Sequence, residues 1–133
     1  MPITTSLDEH KMHAEVVHIP SLTWQKINEA KAASKKIWAL GTTVTRALES
    51  LAQNRLEKNV VGDYFGSTDI FIKPGFEFKV VDCLLTNFHQ PSSTLLALVA
   101  AFANIKIVRK AYELAIKNEF RLFSYGDLSV WIK

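Results

Sequence analysis

The chain has 133 residues, 48% apolar and 22% charged, with a net charge of +3. That balance excludes a disordered chain and suffices for one buried core. Its longest apolar run, Leu95 to Ala103, is far short of the roughly 20 residues that cross a bilayer, so a buried helix is expected there.

In chain order, Met1 to Glu15 is polar with scattered hydrophobes and carries no basic-then-apolar leader. Pro20 followed by Ser21 or Thr23 marks a helix entry with a hydroxyl free to cap it. Trp24, Ile27 and Ala30 to Ala33 then recur at helical spacing up to Lys36. Ile37 to Leu40, bounded by Gly41, reads as a buried strand. Val44, Ala47, Leu48 and Leu51 follow the i, i+3, i+4, i+7 pattern of an amphipathic helix ending near Asn54. Helix, strand, tight turn and helix in succession argue for an α/β layer.

Residues 55–67, with two glycines and mixed polarity, read as a surface loop. Asp69 to Ile72 reads as a strand and Pro74-Gly75 as a turn, since proline fixes φ and glycine allows φ > 0. Phe78 to Thr86 is a nearly continuous apolar strand, as expected where both sheet faces are covered. Ser92 to Ala103 predicts a helix, apolar almost all round, with Asn104 placed to end it in the left-handed region. Ile107 to Asn118 predicts an amphipathic helix, and Phe120 to Phe123 and Leu128 to Ile132 predict strands around a Tyr125-Gly126-Asp127 turn. The expected fold class is α/β, in a single domain over residues 1–133.

Four groups of residues could carry chemistry. Glu9-His10-Lys11-Met12-His13, with Glu15 and His18 nearby, would put His10 and His13 on one face if helical. The spacing is not that of a helical zinc site and no cysteine pair supports one, so no metal is expected. Surface histidines or acid–base groups are the competing readings, because imidazole titrates near neutral pH. Gly41-Thr42-Thr43, between strand and helix, could hold a carboxylate or phosphate on backbone N–H groups, although threonine capping accounts for it equally well. Arg46 and Glu49, one turn apart, read by default as a solvated ion pair.

The segment from Thr86 to Thr94 follows an apolar strand, and ligands of open α/β sheets sit at the carboxyl ends of strands. There His89 could shuttle a proton, Asn87 could orient a substrate, and Ser92, Ser93 and Thr94 could cap the helix or meet an anion; a capped loop with a satisfied histidine is the competing reading. In Ser124-Tyr125-Gly126-Asp127 the aromatic could stack on a base and the aspartate could accept from a ribose hydroxyl. Cys83, the lone cysteine, excludes an internal disulfide, suits a reducing cytoplasm and reads as an inert core residue. The mild basic excess permits contact with RNA without demanding it.

Five segments together resemble one family: Glu9 to Glu15, Gly41-Thr42-Thr43 with Arg46 and Leu48-Glu49-Ser50, Thr68 to Gly75, Leu85 to Leu95, and Phe123 to Asp127. In that order they are similar to the motifs of the S-adenosylmethionine:tRNA ribosyltransferase-isomerases of queuosine biosynthesis, in their carboxy-terminal part. The resemblance implies transfer of the ribosyl part of S-adenosylmethionine to 7-aminomethyl-7-deazaguanine in tRNA, then isomerisation to epoxyqueuosine with release of adenine and methionine. It implies S-adenosylmethionine as substrate, no metal, tRNA as partner, a cytoplasmic location and no membrane. His89, His10 and His13 are the candidate acid–base groups, with His89 first. Lys11, Arg46 and the Gly41-Thr42-Thr43 turn are candidates for the methionine carboxylate or tRNA phosphates, and Asp69 and Asp127 for ribose or base.

Three positions depart from the family pattern: Val44 where a small or hydroxyl residue is usual, and Cys83 and Asn104 where glycines are. The family also carries a long amino-terminal part, including a β-barrel domain, ahead of Glu9. The expectation is therefore a partial α/β-layer domain with a mixed sheet flanked by helices, lacking that barrel: a truncated or separately encoded piece of the enzyme, inactive alone, which a separately encoded amino-terminal part could complete. A non-catalytic RNA- or protein-binding domain derived from the fold is the alternative.

Overall fold

The structure, a computed structural model, describes residues 12–89, 93–121 and 126–133. Strand β1 (Glu15–Ile19) leads into helix α1 (Ser21–Ala32), strand β2 (Trp38–Leu40) and helix α2 (Thr42–Ala52). Strands β3 (Glu57–Lys58), β4 (Tyr64–Thr68) and β5 (Cys83–Asn87) follow, then helices α3 (Thr94–Phe102) and α4 (Ile105–Lys117) and strand β6 (Leu128–Ile132).

Two three-stranded sheets result. The first, in the order β2-β5-β6, is mixed: β2 runs parallel to β5 and β6 antiparallel to it. The second, β1-β4-β3, is antiparallel throughout. Both give a face to one core, in which Val17 and Ile19 of β1 and Ala39, Leu84 and Trp131 of the mixed sheet join Leu48 and Leu51 of α2 and Leu98, Val99 and Phe102 of α3. The α/β class and the mixed sheet with flanking helices are as expected.

Several elements differ from the sequence reading, each for a local reason. Residues 55–67 are not all surface loop, because β4 forms there and pairs with both β1 and β3. Asp69 to Ile72 is not a strand. Ile70 and Ile72 are nonetheless buried while Asp69 is exposed, so the alternation reports core filling without a ladder. The apolar strand begins at Cys83, not Phe78. The N–H groups of Lys79, Val80 and Val81 go to the Glu49 carboxylate, which takes the place of a neighbouring strand.

Asn104 does not end α3 in the left-handed region. Its φ is −155°, and its side chain caps α4 by accepting from the Lys106 N–H. Left-handed residues instead close α1, α2 and α4 at Ser34, Asn54 and Glu119, and each is followed by a backbone bond back to the last turn. Neither Ser21 nor Thr23 caps α1; Asp63, 42 residues on, accepts the Ser21 N–H at 2.8 Å. Phe120 and Arg121 lie outside any strand.

Candidate functional site

The mixed sheet decides where the motifs meet. Because β2 and β5 are parallel, their carboxyl ends, Leu40 and Asn87, lie at the same edge. Because β6 is antiparallel to β5, its start at Leu128 pairs with Asn87 at that edge as well. The Gly41 turn, the Asn87–His89 loop and Asp127 are thus brought together by strand direction alone. The Gly41 N–H donates to the Leu85 carbonyl at 2.8 Å, and the Asn87 amide reaches the Asp127 carbonyl at 3.5 Å.

At this edge His89 is half-buried. Its Nε2 lies 2.9 Å from the Thr86 hydroxyl, and its backbone N–H donates to the Tyr112 hydroxyl at 2.7 Å. Burial holds the His89 imidazole below its ordinary range and raises the Tyr112 phenol above its own. The Tyr112 ring packs edge-on against Phe88, which also meets Phe120. Thr86 is fixed from the far side, because Ser129 Oγ donates to its carbonyl and Trp131 Nε1 donates to Ser129 Oγ. A neutral imidazole on a braced loop is suited to accept a proton.

Gly41 has φ +97° and ψ 160°, a conformation that glycine alone adopts readily, and it opens α2 with no side-chain cap. Thr42 and Thr43 are therefore not the capping threonines that the competing reading supplied. Thr45 binds back to the Gly41 carbonyl instead. One turn on, Arg46 and Glu49 are not a solvated pair. Both are buried, and they part company. Arg46 Nη1 pairs with Glu15 of β1 at 2.9 Å and its Nε donates to the Ile70 carbonyl at 3.2 Å. Its Nη2 is buried without a hydrogen-bond partner among the described residues. Arg46 thereby ties the amino-terminal motif and the Thr68–Gly75 motif to the helix that starts at Gly41.

Other expected site residues are placed as follows. Ser93 caps α3, its hydroxyl accepting from the Leu96 N–H at 3.1 Å. The Asp127 carboxylate accepts the Arg121 N–H. Asp69 is exposed and faces Arg55 at 3.5 Å, so its described partner is not at the strand-end edge. His13 is exposed ahead of β1, while His18 turns to Asp63 at 3.1 Å. His10, Lys11 and Tyr125 lie outside the described residues. Sequence reasoning missed Tyr112, whose helical spacing gave no hint that its hydroxyl would receive the His89 loop. Among the described residues no group of three metal-ligating side chains occurs, and no helix is long and apolar enough to cross a membrane.

Residues 2–131 match the family model described as queuosine biosynthesis protein. The chain belongs to that family. Within the queuosine biosynthesis family, it is 51% identical over 125 residues to the S-adenosylmethionine:tRNA ribosyltransferase-isomerase of Psychrobacter cryohalolentis, covering 93% of this chain and 31% of that protein. It is 48% identical over 128 residues to the protein of the same name from Chlorobaculum parvum, covering 96% and 38%. The crystal structure of the S-adenosylmethionine tRNA ribosyltransferase of Thermotoga maritima superposes with a TM-score of 0.79 at 47% identity, covering 86% of this chain and 40% of that one. The chain therefore spans between about a third and two fifths of the length of these family members. That span agrees with the carboxy-terminal resemblance read from the motifs.

Proposed function

We propose that this chain is the carboxy-terminal part of an S-adenosylmethionine:tRNA ribosyltransferase-isomerase, acting with an amino-terminal part that supplies the remaining walls of the site. The observation that carries this reading is the convergence of the Gly41 turn, the Asn87–His89 loop and Asp127 at one edge of the mixed sheet. Family membership supports the reaction class.

In this reading the sulfonium of S-adenosylmethionine acidifies the neighbouring 5′ carbon, and His89, neutral through burial, removes that proton. The resulting carbanion opens the ribose and expels adenine, whose departure a protonated group assists. The aminomethyl nitrogen of 7-aminomethyl-7-deazaguanine in tRNA then bonds to the opened ribosyl part and gives up a proton, and isomerisation to epoxyqueuosine breaks the carbon–sulfur bond and releases methionine. His10 and His13 are the further acid–base candidates. Arg46, held by Glu15 and the Ile70 carbonyl, keeps its buried Nη2 amino group, unpartnered among the described residues, for the methionine carboxylate. Gly41, Thr42, Thr43 and Lys11 serve the same carboxylate or tRNA phosphates. Asn87 orients the substrate, Tyr125 and Asp127 hold ribose or base, and Ser93 at the start of α3 meets an anion; Asp69, beside Arg55, is left out of this edge. A cytoplasmic location fits a tRNA substrate.

The span of the chain favours one alternative, a non-catalytic RNA- or protein-binding domain that kept the fold. A chimera in which this chain replaces the matched segment of the Psychrobacter cryohalolentis relative separates the two. Supplied with adenine-labelled S-adenosylmethionine and tRNA bearing the precursor base, it is expected to release adenine. Binding of tRNA without adenine release would establish the alternative.

A further inference from the structure

His89 is held at two points, and the two contacts leave one of its ring nitrogens unclaimed. Its backbone N–H donates to the Tyr112 hydroxyl at 2.7 Å, and its Nε2 lies 2.9 Å from the Thr86 hydroxyl. Among the described residues Nδ1 has no hydrogen-bond partner. The Thr86 anchor is rigid, because Thr86 sits in β5 opposite Ser129 of β6 and both side chains are buried. The Thr86 carbonyl accepts from Ser129 Oγ at 3.0 Å, and Ser129 Oγ accepts from Trp131 Nε1 at 2.8 Å. Tyr112 is constrained as well. Its ring lies edge-on to Phe88 with centroids 5.1 Å apart, on a helix anchored by the buried Val108 and Ala115. The imidazole cannot turn over without giving up the Thr86 contact.

These contacts decide which nitrogen can act. Thr86 is 5% exposed, so the Nε2 side of the ring faces the interior and is closed to a substrate. His89 itself is only half-buried, and Nδ1 is the nitrogen left for an incoming ligand. A ring nitrogen takes a proton only where it is bare, so the neutral ring must carry its proton on Nε2 and donate it to the Thr86 oxygen. The opposite tautomer, with Nδ1 protonated and Nε2 accepting from Thr86, offers a substrate no lone pair. Charging the ring then strengthens the bond to Thr86, since an ionised donor makes a stronger hydrogen bond than a neutral one.

We infer that Nδ1 of His89 is the proton-accepting atom and that Thr86 and Tyr112 are its positioning residues, Thr86 by fixing the Nε2–H tautomer and Tyr112 by fixing the loop backbone. This rests on the reading of His89 as the base that acts on S-adenosylmethionine. In that step the bond between the 5′ carbon and its hydrogen breaks and the proton passes to Nδ1. The electron pair stays on the carbon beside the sulfonium. Both positioning residues act through His89 and not on the substrate.

The test uses the chimera with the Psychrobacter cryohalolentis relative, its histidines isotope-labelled for heteronuclear NMR. The His89 ring nitrogens are identified by their loss in His89→Gln. In the neutral ring the proton is expected on Nε2, with Nδ1 bare. Thr86→Val, nearly isosteric, is expected to dilute that tautomer and to slow single-turnover adenine release by roughly tenfold, the kinetic equivalent of one hydrogen bond. Thr86→Ser returns the hydroxyl and recovers both. Tyr112→Phe keeps the ring against Phe88 and leaves the tautomer as it was, while kcat falls by a similar factor at unchanged KM for S-adenosylmethionine. A proton found on Nδ1 in the unsubstituted chimera overturns the inference, and does so without a variant that must fold. If His89→Gln abolishes adenine release in that case, the base assignment stands and only the atom and its holders are wrong. Thr86→Val with unaltered tautomer and rate also overturns the inference. Adenine release by His89→Gln at the unsubstituted rate removes the base and this inference with it.

Discussion

The Glu49 carboxylate accepts the backbone N–H of Val80 at 2.9 Å, joining the last turns of α2 to a segment 31 residues away in the chain. The same carboxylate takes the N–H groups of Lys79 and Val81, each at 2.9 Å, and is fully buried. A carboxylate thus caps three backbone donors that no strand satisfies, and it sets the entry of β5 and with it the height of the Asn87–His89 loop. Glu49→Gln places an amide N–H against the Lys79 N–H and is expected to cost about 3 kcal/mol. Urea unfolding followed by circular dichroism measures this, and a cost below about 1 kcal/mol would mean that the bonds contribute little net stability.

Gly41→Ala is expected to destabilise the chain although no atom lies within 4 Å of the added Cβ. The cost is conformational, because φ +97° with ψ 160° is strained for any residue with a Cβ, and amounts to roughly 1–3 kcal/mol. An unchanged unfolding midpoint would show that the turn relaxes freely.

How much of this was legible beforehand differs from element to element. The helices α2 and α3 and the strand β6 follow their periodicities, and the convergence of motifs at strand ends follows from the general rule for α/β sheets. Strand β4 was hidden because Tyr64–Thr68 contains Gly66 and alternates weakly, and its stability comes from two partners distant in sequence. Val44, placed on the buried stripe of α2 by spacing, is exposed, while Thr45, Arg46, Glu49 and Ser50 are buried. Polar residues on that inner face have partners that local pattern cannot reveal: Thr68 for Ser50, Glu15 for Arg46 and the 79–81 backbone for Glu49. The position of Glu49 next to Leu48 and two before Leu51 was the available signal.

Arg46→Lys is expected to raise KM for S-adenosylmethionine about tenfold in the chimera with little change in kcat. A lysine ammonium cannot hold Glu15, the Ile70 carbonyl and the proposed substrate carboxylate in one planar fork. Steady-state kinetics check it, and an unaltered KM would remove Arg46 from the substrate site.

The depressed His89 pKa has two consequences of definite sign. Its unfolded-state value is near 6.5 and its folded value lower, so the unfolded chain binds more protons below that pH. The stability contribution is therefore complete above pH 6.5 and is lost as pH falls from there through the folded pKa. In its proposed role as base it would stay neutral further into acid than an ordinary histidine. The acidic limb of kcat/KM for the chimera is expected to fall below pH 6.5, and a limb above that value would contradict the assignment.

The most direct measurement is single-turnover adenine release by the chimera carrying His89→Gln, alongside its unfolding midpoint. Glutamine can keep the bond to the Thr86 hydroxyl but cannot take a proton. The predicted result is a fall in rate of roughly 100-fold or more with the midpoint nearly unchanged. Adenine release at the unsubstituted rate would contradict a catalytic site at the strand-end edge.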